Sequence, residues 1–340
     1  MKAAVFYGKK DIRYQESDSQ VLLPEEVLIR IHACGVCGTD LHVYDGAEGS
    51  ATVTPPIILG HEFAGEVFDV GSAVQRVKIG DRVCIDPNIF CGECQYCRTG
   101  KAHLCEDLQA IGVTRSGGFA EYCPVPVKQV YSLPDSLDFE DGALAEPVAC
   151  CVHGMDLAKI CAGDRVLILG AGTIGLILLQ LVRIAGAAKI FVSEPVAAKR
   201  DLANTLGADL AIDPMTEDLM SIIDKQTHGG VDVAIECVGK STTMTQAIQA
   251  LRRGGSALLF GLAPPNCEIP LRPFDLFKRE LTIRSSFVNP FTQARAVALL
   301  ASKKIQLKPL ISDRFPLAKI NEIFANKKYR QRGKVIVEPA

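Results

Sequence analysis

Apolar and polar positions change rhythm along the chain. From Met1 to about Leu144, short alternating runs such as Val27–Ile31, Glu66–Val70 and Arg82–Ile85 lie between Gly and Pro, which reads as half-buried strands closed by turns. No long amphipathic helical pattern interrupts this β-rich stretch. From about Asp164 to Ser286 the pattern becomes a regular alternation. Continuous apolar strands at Arg165–Leu169, Lys189–Ser193, Leu210–Asp213, Val231–Glu236, Ser256–Phe260 and Leu281–Ser285 alternate for most of their length with helical periods. The helices expected are Thr173–Ala185, Val196–Leu206, Glu217–Gln226 and Thr242–Arg252. Strands apolar on both faces, alternating with helices, imply an α/β domain with a doubly wound parallel sheet. A final helix (Phe291–Ser302) and strand (Lys334–Val337) form a tail expected to return to the first region.

Composition narrows the class. A length of 340 residues suits two domains, and a net charge of −2 argues against a nucleic-acid or acidic-membrane partner. The apolar run from Val166 to Val182 is broken by Gly170, Gly172 and Gly175, so it is not a membrane span. No leader pattern opens the chain, and a cytoplasmic location with reduced thiols is expected. Thirteen cysteines are then to be explained by metal, catalysis or burial.

Gly170-Ala-Gly172-Thr173-Ile174-Gly175 follows one expected strand and opens one expected helix. The first glycine permits the tight turn, the second admits a pyrophosphate to the backbone, and the third lets helix and strand approach. Thr173 and Ile174 begin the helix whose N–H groups face that phosphate. Glu194, 19 residues past Gly175, ends the next strand, where a carboxylate accepts ribose hydroxyls and repels a 2′-phosphate. NAD is favoured; Lys199 and Arg200 keep NADP open.

Cys91, Cys94, Cys97 and Cys105 fall within 15 residues, enough to close on one tetrahedral ion. An iron–sulfur cluster is the rival, but its usual run has a shorter last gap followed by Pro. A structural zinc is favoured. Cys37, His61 and Glu62 supply a thiolate, an imidazole and a carboxylate, a set that leaves the fourth zinc position open. Spacing alone leaves Cys34 and Cys37 equally readable as a redox pair, and His61 as an ordinary loop histidine.

The motifs Cys37-Gly-Thr39-Asp-Leu-His42, Gly60-His61-Glu62, the four-cysteine lobe, Gly80-Asp-Arg-Val83 and the glycine turn together resemble the zinc-dependent medium-chain dehydrogenases. Ala145-Glu146-Pro-Val148 and Glu280–Phe287 are similar to the sorbitol (polyol) and threonine dehydrogenase branch. The resemblance implies a GroES-like catalytic domain over residues 1–146 and 287–340, with the structural zinc lobe, and a Rossmann domain over 147–286. It implies that Cys37, His61 and Glu62 hold a catalytic zinc, and that Glu146 binds that zinc directly or holds its water. Thr39 stands where the family places the hydroxyl that takes the substrate proton, and His42 at the outer end of that relay, beyond the cofactor ribose. Cys91, Cys94, Cys97 and Cys105 match the structural zinc.

The implied activity is NAD-dependent oxidation of a secondary alcohol on a small polyol-like substrate, phosphorylated or not, by a homotetramer or homodimer. Where sorbitol dehydrogenases place Arg-Tyr, this chain has Val288-Asn289, which speaks against sorbitol itself. Threonine or a simple alcohol is the alternative substrate. A zinc-stabilised protein that senses NAD without turnover is the alternative from another class. Cys34 is expected in the core, His103 and His153 in structural roles, and Phe119 either in the core or along the substrate pocket. Cys150 or Cys151 is a minor alternative as a metal ligand.

Overall fold

A computed structural model of the chain describes residues 1–18, 21–47 and 51–339, the side chains at 327, 330 and 331 aside. The chain divides into two compact units, Met1–Ala149 with Val288–Ala340, and Cys150–Phe287.

The first unit is organised by a seven-stranded sheet. Its spine is the strand Glu26–Gly35, paired antiparallel with Glu62–Val70, with Tyr122–Pro126 and with the tail strand Lys334–Glu338. The alternating pattern at Val27–Ile31 reflects one face turned inward: Val27, Ile29 and Ile31 are fully buried, while Leu28 and Arg30 are half-buried. Phe63, Phe119 and Phe324 fill the same core, each contributing about 1.5–3 kcal/mol by leaving water. The register places Gly35 opposite both Glu62 and Ile336. One end of the spine is therefore flanked by Glu62 and Ile336, residues 274 positions apart.

The second unit carries six parallel strands, ordered Leu210–Ile212, Lys189–Ser193, Arg165–Leu169, Val231–Glu236, Leu251–Leu259 and Thr282–Ser285. In chain order this is third, second, first, fourth, fifth, sixth, the doubly wound arrangement of dinucleotide-binding sheets. Leu169 pairs with Ser193 on one side and Glu236 on the other, so three strands end level at the point where the order reverses. Such a reversal opens a crevice beyond the carboxyl ends of the strands.

The structure departs from the periodicity reading in particular places. Helix Ala145–Ala158 gave no signal because it is buried on nearly all sides, so it has no polar stripe to set a period. The helix expected over Thr242–Arg252 spans Ser241–Gln249, and a strand starts at Leu251. Helix Pro273–Arg279 was missed because Phe274 and Phe277 point outward, 71% and 82% exposed, against the usual pattern. The remaining ends shift by a few residues, as in Gln293–Ala301 for the last expected helix. No helix among the described residues is long and apolar enough to cross a membrane.

Candidate active site and metal centres

Cys37 is the N-cap of the short helix Gly38–Tyr44. Three residues on, Asp40 turns back, and its Oδ2 accepts a hydrogen bond from the Cys37 N–H at 2.9 Å. Its other oxygen, Oδ1, lies 3.3 Å from Nδ1 of His61, leaving Nε2 as the nitrogen free to face a metal. His61 enters from the segment after Gly60, whose φ of +95° is readily adopted by glycine and which packs against Cys34 and Phe119. Glu62 opens the next strand and is 1% exposed.

The ligand atoms of Cys37, His61 and Glu62 lie within 4.8 Å of one another. A tetrahedral zinc with bonds of about 2.0–2.3 Å spaces its ligands about 3.3–3.8 Å apart, so little adjustment closes the set. The electrostatics fit a cation too. Burial works against an imidazolium at His61, but the neighbouring charges of Asp40 and Cys37 outweigh it and lift its pKa well above the ordinary histidine value. The pocket asks for positive charge.

Two further features hold Glu62. Gly35 faces it across the strand pair, and a Cβ there would lie 2.1 Å from Glu62 Oε2, so a larger residue would push the carboxylate from this position. Lys334, at the start of the tail strand, donates to both carboxylate oxygens at 2.6 and 2.8 Å and to the Val36 carbonyl at 3.1 Å. Burial alone would lower the Lys334 pKa, but the negative charges of Glu62 and Cys37 outweigh it and raise the value above normal. Glu146 sits in the first turn of its helix, 8% exposed and outside the 4.8 Å ligand group, although its charge reaches Lys334. Thr39 and His42 lie three apart on the Gly38–Tyr44 helix, hence on one side of it, half-buried and exposed respectively.

Cys91, Cys94, Cys97 and Cys105 also bring their sulfurs within 4.8 Å. The Cys91 N–H donates to Cys105 Sγ at 3.3 Å, and the Glu93 and Cys94 N–H groups donate to Cys91 Sγ at 3.4 and 3.3 Å. Backbone N–H donors from Cys97 and Glu106 lower the Cys94 pKa. Donors aimed at sulfur stabilise thiolates, the form that binds zinc.

In the second unit, Gly170 adopts φ +98° and Gly172 caps helix Thr173–Ile184 with open space around it. A Cβ on Gly175 would lie 1.9 Å from the Gly170 carbonyl oxygen, so strand and helix meet backbone to backbone. Thr173 and Ile174 are half-buried in the first turn. Glu194 is 6% exposed; its oxygens accept the Ala171 and Val196 N–H groups at 2.8 and 3.0 Å, placing the carboxylate beside the glycine turn. Arg200 is tied to the Glu194 carbonyl and to Asp213, at 2.8 and 3.0 Å. The turn offers bare N–H groups, a cradle that a side chain would fill and a nearby carboxylate. Those features fit an adenine dinucleotide.

None of the thirteen cysteines is in a disulfide. Of the eight outside the two clusters, Cys34, Cys84, Cys123 and Cys151 are buried, and Cys161 is exposed. Burial raises the Cys34 thiol pKa well above normal and moves Cys84 and Cys123 up to about 12, so these three are inert core groups. Phe119 is fully buried, which places it in the core rather than along a pocket. The sequence reading passed over Asp40, although its place three residues after Cys37 is a capping-box signal. It also passed over Gly35 and Lys334, for which no local signal exists.

Comparison with known proteins gives the family. Residues 23–135 match the family described as the alcohol dehydrogenase GroES-like domain, and residues 173–302 that described as zinc-binding dehydrogenase. The L-threonine 3-dehydrogenase of Caldanaerobacter subterraneus is 36% identical over 98% of this chain and 97% of its own. The sorbitol dehydrogenase of Bacillus subtilis is 35% identical over 93% and 90%. Among solved structures, a Sinorhizobium meliloti protein described as a zinc-binding dehydrogenase bound to NADP superposes with a TM-score of 0.95 at 40% identity, covering 99% of both chains.

Proposed function

The chain belongs to the zinc-dependent medium-chain dehydrogenases, oxidoreductases acting on CH–OH donors, and from that premise we propose that it exchanges hydride between NAD and a secondary alcohol of a polyol-like substrate. The observation that carries the reading is the convergence of Cys37, His61 and Glu62, three ligands where a tetrahedral zinc takes four. Zinc bound there acts as a Lewis acid that makes the substrate hydroxyl acidic. Cys37, His61 and Glu62 hold it, and Asp40 orients the His61 ring. Glu146 either joins them or holds a water for the site. Thr39 Oγ1 takes the hydroxyl proton, and His42, on the exposed side of the same helix, delivers it to solvent beyond the cofactor ribose. Bound NAD would supply the hydride acceptor, so that a secondary alcohol and NAD would give ketone, NADH and a proton. Gly170, Gly172, Gly175 and the helix start at Thr173 and Ile174 seat the pyrophosphate, while Glu194 favours NAD over NADP. Cys91, Cys94, Cys97 and Cys105 hold the second, structural zinc.

Sorbitol itself is disfavoured: Val288 stands where sorbitol dehydrogenases place the arginine, and Asn289 is fully buried, its Oδ1 accepting from the Asn88 side-chain amide. The L-threonine 3-dehydrogenase relatives support threonine as a second reading. An NAD-coupled screen of polyols, polyol phosphates and threonine, with zinc measured on the same sample, tests both. Turnover of a polyol class with two zincs per chain is the expected result; two zincs with no turnover of any alcohol would favour a sensing protein instead. The assembly implied is a homotetramer or homodimer, read by light scattering on that sample.

A further inference from the structure

Lys334 lies in the last strand of the chain, 272 residues from the carboxylate it holds. Its side chain is 6% exposed and that of Glu62 is 2% exposed, so neither charge has solvent to rely on. An ammonium has three N–H donors. Two go to the Glu62 oxygens, and the third goes to the Val36 carbonyl, which belongs to the peptide bond leading into Cys37. One side chain therefore grips both segments that bring ligands to the candidate catalytic metal.

The carboxylate is confined by Gly35 as well. The space where a Gly35 Cβ would sit is taken by Glu62 Oε2. A carboxylate offers about four lone-pair sites; Lys334 takes two, and the rest remain for the side facing Cys37 and His61. Mere fastening of the tail does not call for this pair. The strand Lys334–Glu338 already pairs with Ile311–Pro316 and with Glu26–Gly35, and the Val36 N–H donates to the Val335 carbonyl at 2.9 Å. A buried ion pair is seldom more stabilising than an apolar pair of the same volume; what it does supply is a fixed geometry.

We propose that Lys334 is a positioning residue of the catalytic metal site, fixing the Glu62 carboxylate and the backbone beside Cys37 at the spacing that zinc requires. The proposal rests on the reading of Cys37, His61 and Glu62 as zinc ligands. It makes the C-terminal strand part of the metal centre, and it predicts that the tail controls how tightly one metal, and not the other, is held. Carboxylate ligands depend on the groups that hydrogen-bond them, and losing such a group weakens metal binding about 10–100-fold.

The test uses the full-length protein, loaded with zinc or with cobalt(II), as the parent and as Lys334→Arg, Lys334→Gln and Lys334→Met. Three quantities are read: the rate at which a chelator removes each metal, the visible ligand-field absorption of cobalt, and the circular dichroism spectrum. The four-cysteine site serves as the internal reference. Lys334→Met is expected to lose one metal about 10–100-fold faster, with a shifted cobalt spectrum, while the other metal leaves at the parent rate. Lys334→Arg, which keeps the charge and donors in a larger side chain, is expected to release that metal more slowly than Lys334→Met. If Lys334→Met does not fold, Lys334→Gln is judged by the same criteria. Parent-like metal release and cobalt spectrum in the neutral variants would overturn the proposal, as would an Arg variant as leaky as Met. A parent that binds one metal only would overturn the zinc-ligand reading itself, an outcome visible before any variant is compared.

Discussion

Gly175 and Gly172, two of the three glycines of the nucleotide turn, should fail in different ways when each is replaced by alanine. At Gly175 the added Cβ would lie 1.9 Å from the Gly170 carbonyl oxygen, at least 1.1 Å inside the 3.0 Å below which real Cβ contacts do not occur. Either the helix start or the turn must move by about that much. A shift of 1 Å breaks hydrogen bonds from backbone N–H groups to a charged phosphate, each contributing about 1.5–3 kcal/mol. Losing two of them weakens NADH binding by between about a hundredfold and ten-thousandfold, and the packing of helix on strand loosens as well. Gly172 is different. Its φ of −73° and ψ of −177° suit alanine, and nothing lies within 4 Å of the added atom. Gly172→Ala should therefore unfold at the parent temperature, within about 0.5 kcal/mol, yet still lose affinity because its methyl occupies the space into which the pyrophosphate comes. Calorimetric titration with NADH and thermal unfolding on the same preparations separate the cases. A Gly172→Ala protein that binds NADH as tightly as the parent would refute the placement of the phosphate at this turn.

Asp86 gives a pH signature. Burial pushes its pKa up from 3.8 to about 6, only partly offset by Asn88 and Asn289. The folded state thus holds this proton more tightly than the unfolded one, so its contribution is most favourable below about pH 4 and is lost as pH rises to about 6, a change of about 3 kcal/mol. Asp86→Asn should flatten that slope, and urea unfolding midpoints across the window that run parallel in parent and variant would contradict it. Asp40→Ala should weaken binding of one metal about 10–100-fold through the unsupported His61 ring, leaving the other metal in place, as measured by chelator competition. Glu194→Ala should move the NADP-to-NAD preference at least about tenfold toward NADP by removing a charge that opposes the 2′-phosphate; an unchanged ratio of kcat/KM values would assign discrimination elsewhere.

The parallel sheet was legible because its strands are buried on both faces and read as continuous apolar runs. The glycine turn was legible because its demands are local and steric. Ligand side chains announced themselves by type: Cys, His and Glu at short spacing have few other reasons to cluster. What stayed hidden was non-local or non-periodic. Helix Ala145–Ala158, which positions Glu146, has no polar face to betray it. The outward Phe274 and Phe277 concealed helix Pro273–Arg279 for the opposite reason. Gly35 and Lys334 acquire meaning only through the pairing of strands from the two ends of the chain, and no window of sequence contains both partners. Half of the eight surplus cysteines are buried as small apolar side chains, a role that cysteine shares with alanine and valine and that spacing cannot reveal.

Transfer of a labelled hydrogen tests the central claim most directly. A secondary alcohol that the parent oxidises is supplied with deuterium on its carbinol carbon, and the nicotinamide C4 of the product is read by NMR. The account predicts full, stereospecific transfer of deuterium to C4 in the zinc-loaded parent, and none in a folded Cys37→Ser variant that still binds NADH. Deuterium appearing in solvent rather than at C4, or undiminished transfer by Cys37→Ser, would contradict it.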